Sequence, residues 1–169
     1  MAWSVAAAVP DPELPMLTLA DLGVLAEVGV DGDSGAVTAW LTPTYSGCPA
    51  VAEMAADVDR RLRAAGYPDV RVRLRLDPPW STDLITAEGR RKLVEAGIAP
   101  PRPTSAGESA PGPVPLALGP TRRGAAAPVP CPHCGGTDTE ELSRFGSTAC
   151  KALWRCRACR EPFERVKEI

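Results

Sequence analysis

Two short cysteine pairs near the C-terminus, CPHC at 131–134 and CRAC at 156–159, constrain this chain more than any other feature. Each C-x2-C pair is the pattern of a knuckle that aims two thiolates at one ion. Two knuckles separated by twenty-one residues complete a tetrahedral set of four sulfurs. The segment 131–169 is too short to build a self-sufficient apolar core, so bound metal supplies much of its folding free energy. Cys131, Cys134, Cys156 and Cys159 are therefore the expected metal ligands, and the flanking TEELSRFG, ALWRC and PFERVKEI are the expected strands of a small zinc-ribbon-like β module. A closed four-thiolate site with no redox task takes Zn2+. Iron in the same sulfur geometry, as in a rubredoxin-like electron carrier, is the alternative.

N-terminal to this module lies a compositional break. Nine of the nineteen prolines fall between residues 100 and 130, among Gly, Ala and Ser, and neither helical nor strand periodicity survives there. Such a composition gives an extended linker with no core of its own. The expected organisation is a first domain at 1–99, a Pro/Ala/Gly-rich linker at 100–130 and the four-cysteine module at 131–169. The whole chain of 169 residues has a net charge of only -2, which argues against a nucleic-acid or acidic-membrane surface. Arg155, Arg157 and Arg160 in the module are offset by its six acids. The opening MAWSVAAAVPDPELP lacks the basic start and the apolar length of an export signal, and no run reaches the ~18 apolar residues that cross a bilayer. A cytoplasmic location is expected, where paired cysteines hold metal more often than disulfides.

The first domain reads as a compact α+β unit of order α-β-β-α-β-α, with helices on one face of a mixed sheet. Asp11, Pro12 and Glu13 have the form of a helix start, with proline early and acid in the first turn. Strands are predicted at 24–30 and 36–42, joined by the DGDSG turn. The next helix opens at Pro49 and closes at Gly66, its inner face formed by Val51, Met54, Ala55, Val58 and Leu62. VRVRLRL at 70–76 alternates strictly, which sends Val70, Val72, Leu74 and Leu76 one way and Arg71, Arg73 and Arg75 the other. The arginine stripe is expected to be a solvated face. Thr86 caps a last helix, AEGRRKLVEAG.

Two cysteines lie outside the tetrad. Cys48 directly precedes the second helix, where free N–H groups and the helix dipole are expected to lower a thiol pKa and raise its metal affinity. Hydroxyls of Thr42, Thr44, Tyr45 and Ser46 lie near it in sequence. A Cys-His nucleophile has little support, since the single histidine, His133, belongs to the first knuckle and reads as exposed loop. A packed structural thiol and a reactive or metal-touching one are both open for Cys48. Cys150 is either a small buried hydrophobe of the ribbon or a spare thiol beside a metal.

VPDPELPMLTLADLGVLAEV, LTPTYSGCPA and LDPPWSTDLITAEGRRKL together resemble the SufT-like family of iron–sulfur cluster assembly factors. The matching features are the acidic-proline opening, the T-x-T-x-x-x-C-P loop and the P-P-W turn. With the C-terminal ribbon containing FGSTACKALWRC, the combination is similar to the PaaD/PaaJ family of the bacterial phenylacetyl-CoA epoxidase system. The resemblance covers the chain apart from the linker. It implies that Cys48 is the thiol that handles iron or a transient iron–sulfur cluster. Asp11, Pro12, Glu13, Thr42, Thr44, Pro49, Pro79 and Trp80 are then supporting motif positions. It further implies an accessory, non-enzymatic role in phenylacetate catabolism. The partners would be the oxygenase and reductase components and the iron–sulfur assembly machinery, with no membrane or nucleic acid. In a homodimer two copies of Cys48 can share a cluster, and within one chain Cys150 can reach across the linker. The competing expectations are the electron carrier already described and a docking scaffold for the oxygenase.

Overall fold

A computed structural model describes residues 1–45, 47–103 and 128–168. The linker expectation for 104–127 lies outside the described residues. The chain runs α1 (Ala2–Ala7), β1 (Leu25–Val30), β2 (Val37–Leu41), α2 (Ala50–Ala64), β3 (Val70–Leu74), a 3-10 turn (Thr82–Leu84), α3 (Ala87–Glu95), β4 (Ile98–Ala99), β5 (Thr139–Ser143), β6 (Lys151–Cys156) and β7 (Pro162–Val166). The first sheet has the order β1-β2-β3, antiparallel then parallel, with α1 against β1 and α2 against β3. The α+β class with a mixed sheet is the architecture read from the sequence, followed by a small β module.

The first helix is not where the sequence pattern put it. Asp11 does not open a helix. Its Oδ1 instead accepts the backbone N–H groups of Glu13 and Leu14, at 2.8 and 2.7 Å, closing a turn. Pro15 explains this, because its ring and missing N–H block helix continuation four residues on. The segment crosses the core irregularly and buries Leu14, Leu17, Leu19 and Leu22, while the helix is the alanine-rich stretch before it.

The other elements form for the reasons their patterns give. In α2 the buried residues are Ala50, Met54, Val58 and Leu62, one stripe at helical spacing. Pro49 sits at its N-cap, and Gly66 follows its end at a φ of 95°, a left-handed value that glycine adopts freely. Thr86 caps α3 as predicted, its hydroxyl accepting from Gly89 N at 3.0 Å. Gly89 is itself required, since a Cβ there would lie 2.7 Å from the Asp21 carbonyl oxygen. The P-P-W turn is anchored by Trp80, whose indole N–H donates to the Leu22 carbonyl at 2.9 Å in a buried setting. Pro79 is exposed.

Two features of β3 differ from the simple alternation. Val70 is buried and Val72 half-buried, but Leu74 and Leu76 are 50% and 62% exposed because they extend beside the start of α2 rather than beneath it. The arginine side is a solvated face as expected. Arg73 and Arg75 lie over the Trp40 ring at 5.7 and 5.2 Å, and Arg75 pairs with Glu27 at 2.6 Å.

The second sheet has the order β4-β7-β6-β5. Its edge strand, Ile98–Ala99, comes from the end of the first domain and pairs in parallel with β7, Ile98 opposite Glu164 and Ala99 opposite Arg165. The cores interleave in the same place. Val166 of β7 belongs to the apolar core of the first domain, and Ala99 belongs to the core of the ribbon with Val129, Ala152, Trp154 and Phe163. Burying Val166 contributes about 1.5–3 kcal/mol to holding the two units together. Among the described residues, no helix is long and apolar enough to cross a membrane.

Trp80→Phe removes the indole donor and leaves the Leu22 carbonyl buried without its partner. The expected cost is about 1–3 kcal/mol, read in urea denaturation as a lower midpoint with an unchanged slope.

Candidate functional site

The ribbon builds its sulfur cluster from two copies of one turn. Cys131 N donates to the Gly136 carbonyl at 2.9 Å, and Cys156 N donates to the Glu161 carbonyl at 3.0 Å, the same five-residue closure in each knuckle. Each turn needs one left-handed residue: Gly135 at a φ of 74° and Arg160 at 67°. The four Sγ atoms lie within 4.8 Å of one another, with Cys131 to Cys159 at 3.7 Å and Cys134 to Cys156 at 3.6 Å. A tetrahedral zinc with bonds of ~2.3 Å separates its sulfurs by about 3.8 Å, so the cluster is already at ligand spacing. The Cys156 thiol is pulled down to about 7, chiefly by the backbone N–H groups of Cys159 and Ala158. Cys159, despite the Glu161 N–H, is pushed up to about 12 by burial and by its sulfur neighbours. Four adjacent sulfurs do not all ionise without a cation among them, so metal binding displaces protons from the set. Cys131, Cys134, Cys156 and Cys159 would hold Zn2+, which when bound supplies a fixed crosslink between the two knuckles. His133 stands outside the cluster, its ring against the end of α3, where a Cβ on Gly97 would come within 2.9 Å of its Cε1.

Cys48 lies in the β2–α2 loop with its N–H on the Tyr45 carbonyl at 3.2 Å and its own carbonyl accepting from Val51 at 3.4 Å. One side of this loop opens on a groove of about 500 Å³ lined by Pro43, Pro49, Val51, Ala55, Leu74 and Leu76. The other side faces the Asp11–Glu13 turn. The expected depression of its pKa is overturned. Burial and the Glu13 and Asp11 carboxylates push the Cys48 thiol above the usual range, outweighing the Ala50 and Val51 N–H groups that act the other way. The helix start is present, but acids from another segment face it. Asp11 is itself buried, and burial raises its pKa although the Leu14 and Glu13 N–H groups and Lys151 oppose the shift. Asp11 thus shapes the turn that presents Glu13. Thr42 is buried with its N–H on the Val24 carbonyl at 2.8 Å, Thr44 is half-buried in the loop, and Pro12 and Pro49 are exposed.

No local pattern signals how close the ribbon comes to this loop. Cys150 Sγ lies 4.0 Å from Glu13 Oε2, although 137 residues separate them in sequence. Tyr45 feels Cys48, Glu13 and Cys150 together, and burial with these three raises its pKa. None of the six cysteines is in a disulfide.

The chain matches two family descriptions. Residues 4–79 match the iron–sulfur cluster assembly protein family, and residues 118–167 match the PaaD zinc beta ribbon domain. It is 41% identical over 167 residues to the putative D subunit of 1,2-phenylacetyl-CoA epoxidase from Escherichia coli (strain K12), covering 99% of this chain and 91% of that one. Among solved structures it is similar to a domain of unknown function, DUF59, from Bacillus anthracis. That match has 26% identity and a TM-score of 0.50, over 54% of this chain and 87% of that one. A conserved hypothetical protein from Thermotoga maritima aligns at 28% identity with a TM-score of 0.46, over 54% and 89%.

Chelating the ribbon metal is expected to unfold β5–β7 while α2 stays protected, read by hydrogen exchange together with the fluorescence of buried Trp154. In the zinc-loaded chain at pH 7, Cys48 should react with iodoacetamide more slowly than free cysteine. Glu13→Gln removes a negative charge, lowers the thiol pKa and should speed the reaction by up to about tenfold, the effect of one pKa unit. Mass mapping of the labelled peptide measures both rates.

Proposed function

The chain belongs to the PaaD family of phenylacetyl-CoA epoxidase subunits, and from that premise we propose that it is a cytoplasmic, non-catalytic maturation component of that multicomponent monooxygenase. In this reading it receives iron or an iron–sulfur cluster as cargo at Cys48 and passes it to the reductase component that feeds electrons to the oxygenase. The observation that carries the reading is the placement of Cys48. It is a single half-buried thiol at the mouth of an apolar groove, facing two carboxylates, within the part of the chain that matches the cluster-assembly family.

The chemistry follows from that setting. A thiol whose pKa is raised gives its metal bond up to protons or to a better-ionised recipient thiol more readily than an ordinary cysteine does. A site meant for handover should be open on one side, and the groove beside Leu74 and Leu76 leaves it so. The ribbon has the opposite character, with four sulfurs gathered at ligand spacing around one point, which suits a permanent structural ion. The pairing of β4 with β7 makes the ribbon part of the frame that holds the Cys48 loop.

The test is metal and acid-labile sulfide content with a visible spectrum, on protein purified without oxygen. It is joined to an assay of cluster insertion into the apo reductase component. Wild type should carry one zinc per chain plus iron and sulfide, and should accelerate insertion. Cys48→Ser should keep the zinc, lose the iron and sulfide, and fall to the uncatalysed insertion rate. Unchanged insertion by Cys48→Ser would leave only a docking role. Iron without sulfide, unaffected by the substitution, would identify the ribbon as a rubredoxin-like electron carrier.

A further inference from the structure

One face of the ribbon sheet is incompletely filled. The register sets Trp154 opposite Phe163 and Glu141, and Ala152 opposite Arg165, so these side chains share that face. Beside them lies a cavity of about 610 Å³, within the size range of small-ligand sites. Ala152, Trp154 and Arg165 are its buried lining, while Arg144 and Phe145 are exposed at its rim.

Two hydrogen-bond donors of this lining have no acceptor. The Trp154 indole Nε1–H and the Arg165 Nε–H are buried and meet no partner among the described residues. Trp154 and Arg165 are only 5% and 8% exposed, so bulk water does not stand in for a partner. Native folds keep few such groups, and each calls for an explanation. Trp80 shows the ordinary arrangement in the same chain, its buried indole N–H bonded to the Leu22 carbonyl. Nor is the Arg165 guanidinium loosely placed. Its Cζ lies 5.5 Å from the centre of the Trp154 ring, and its Nη2 donates to Glu168, which also accepts from Arg102 N at 3.2 Å. Burial pulls the Arg165 pKa below its ordinary value, and Arg102 adds to this against Glu168 and Glu141. A further anion beside this guanidinium would offset both effects.

The rest of the lining narrows the ligand. Arg144, Arg165 and Lys167 face Glu141 and Glu168, which leaves a surplus of one positive charge. Phe145 is 71% exposed, with the Lys167 ammonium 4.7 Å from its ring centre, an aromatic surface at the mouth that gains from being covered. We propose that this cavity binds a monocarboxylate on an apolar stem, its oxygens accepting from Trp154 Nε1–H and Arg165 Nε–H and its stem covering Phe145. Neither nitrogen is open to solvent, so admission needs a side-chain shift, which the exposed Arg144 and Phe145 have room to make. A phosphate monoester carries close to two negative charges and would leave the cavity net negative. Two sources offer the required chemistry, a free organic acid and the terminal carboxylate of a polypeptide that ends in an apolar residue. The site is independent of the cargo reading given to Cys48.

The first probe is benzoate, added to the zinc-loaded full chain. Proton–nitrogen correlation spectra follow the Trp154 indole N–H and the Arg165 Nε–H. Both resonances should move together and saturably as each gains an acceptor. Benzyl alcohol, which keeps the ring and lacks the charge, should bind at least about tenfold more weakly. Trp154→Phe should keep its zinc and weaken benzoate by about tenfold or more, read at Arg165. Arg144→Gln, a change at the exposed rim, should weaken it by about threefold. The second probe is N-acetyl-glycylglycylphenylalanine. Binding as tight as benzoate or tighter, and lost in the C-terminal amide, would identify a polypeptide terminus as the source, whereas weaker binding would identify a free acid. Resonances that stay unmoved with benzoate would overturn the proposal, as would benzyl alcohol binding equally well or phenyl phosphate binding more tightly. It is also overturned if Trp154→Phe and Arg144→Gln both bind benzoate as wild type does.

Discussion

The pairing of Ile98 and Ala99 with Glu164 and Arg165 is short, yet it joins the ribbon sheet to the first domain. A connecting segment as long as residues 100–130 raises effective concentration but does not by itself orient side chains, so the pairing supplies the register between the two units. With it, Val166 enters one core and Ala99 the other, so each unit completes the apolar interior of its neighbour. The His133 ring against Gly97 adds a second contact, on the knuckle side. Two small domains become one frame, and groups 137 residues apart are held at 4.0 Å.

What the sequence revealed, and what it hid, divides along the range of the interactions. Patterns that act within a few residues were readable: the C-x2-C knuckles, the Thr86 cap, the helical stripe of Met54, Val58 and Leu62, and the alternation that makes β3. The Asp11 segment misled because two local rules compete there. An acidic N-terminus followed by proline favours a helix start, but the second proline, Pro15, turns the same residues into a closed turn. The strand at Ile98–Ala99 carries no signal at all, since two residues have no period and their partner lies beyond the linker. The Cys48 pKa failed for a related reason. The helix start that favours the thiolate is written in CPAVAE, while the carboxylates that oppose it arrive from residues 11–13 through tertiary folding. Tyr45 could have been suspected from its place three residues before Cys48, but only the fold shows that Glu13 also acts on it electrostatically.

The thiols of this chain are tuned in opposite directions by what surrounds each of them. In the ribbon, backbone N–H groups bring Cys156 down to about 7, while burial and the neighbouring sulfurs push Cys159 up to about 12 despite the Glu161 N–H, so a metal entering the tetrad displaces protons from the set. Four closely spaced sulfurs would fill the four positions of a tetrahedral ion. At the domain boundary, burial and a shared carboxylate push Cys48 and Cys150 upward, and each unit of that shift costs a factor of ten in thiolate available to bind. The same elevation slows oxidation of either thiol, because protonated thiols are slow to form a disulfide. Thiol acidity within one small chain is thus set site by site: backbone N–H groups lower it at Cys156, burial and neighbouring sulfurs raise it at Cys159, and burial with nearby carboxylates raises it at Cys48 and Cys150.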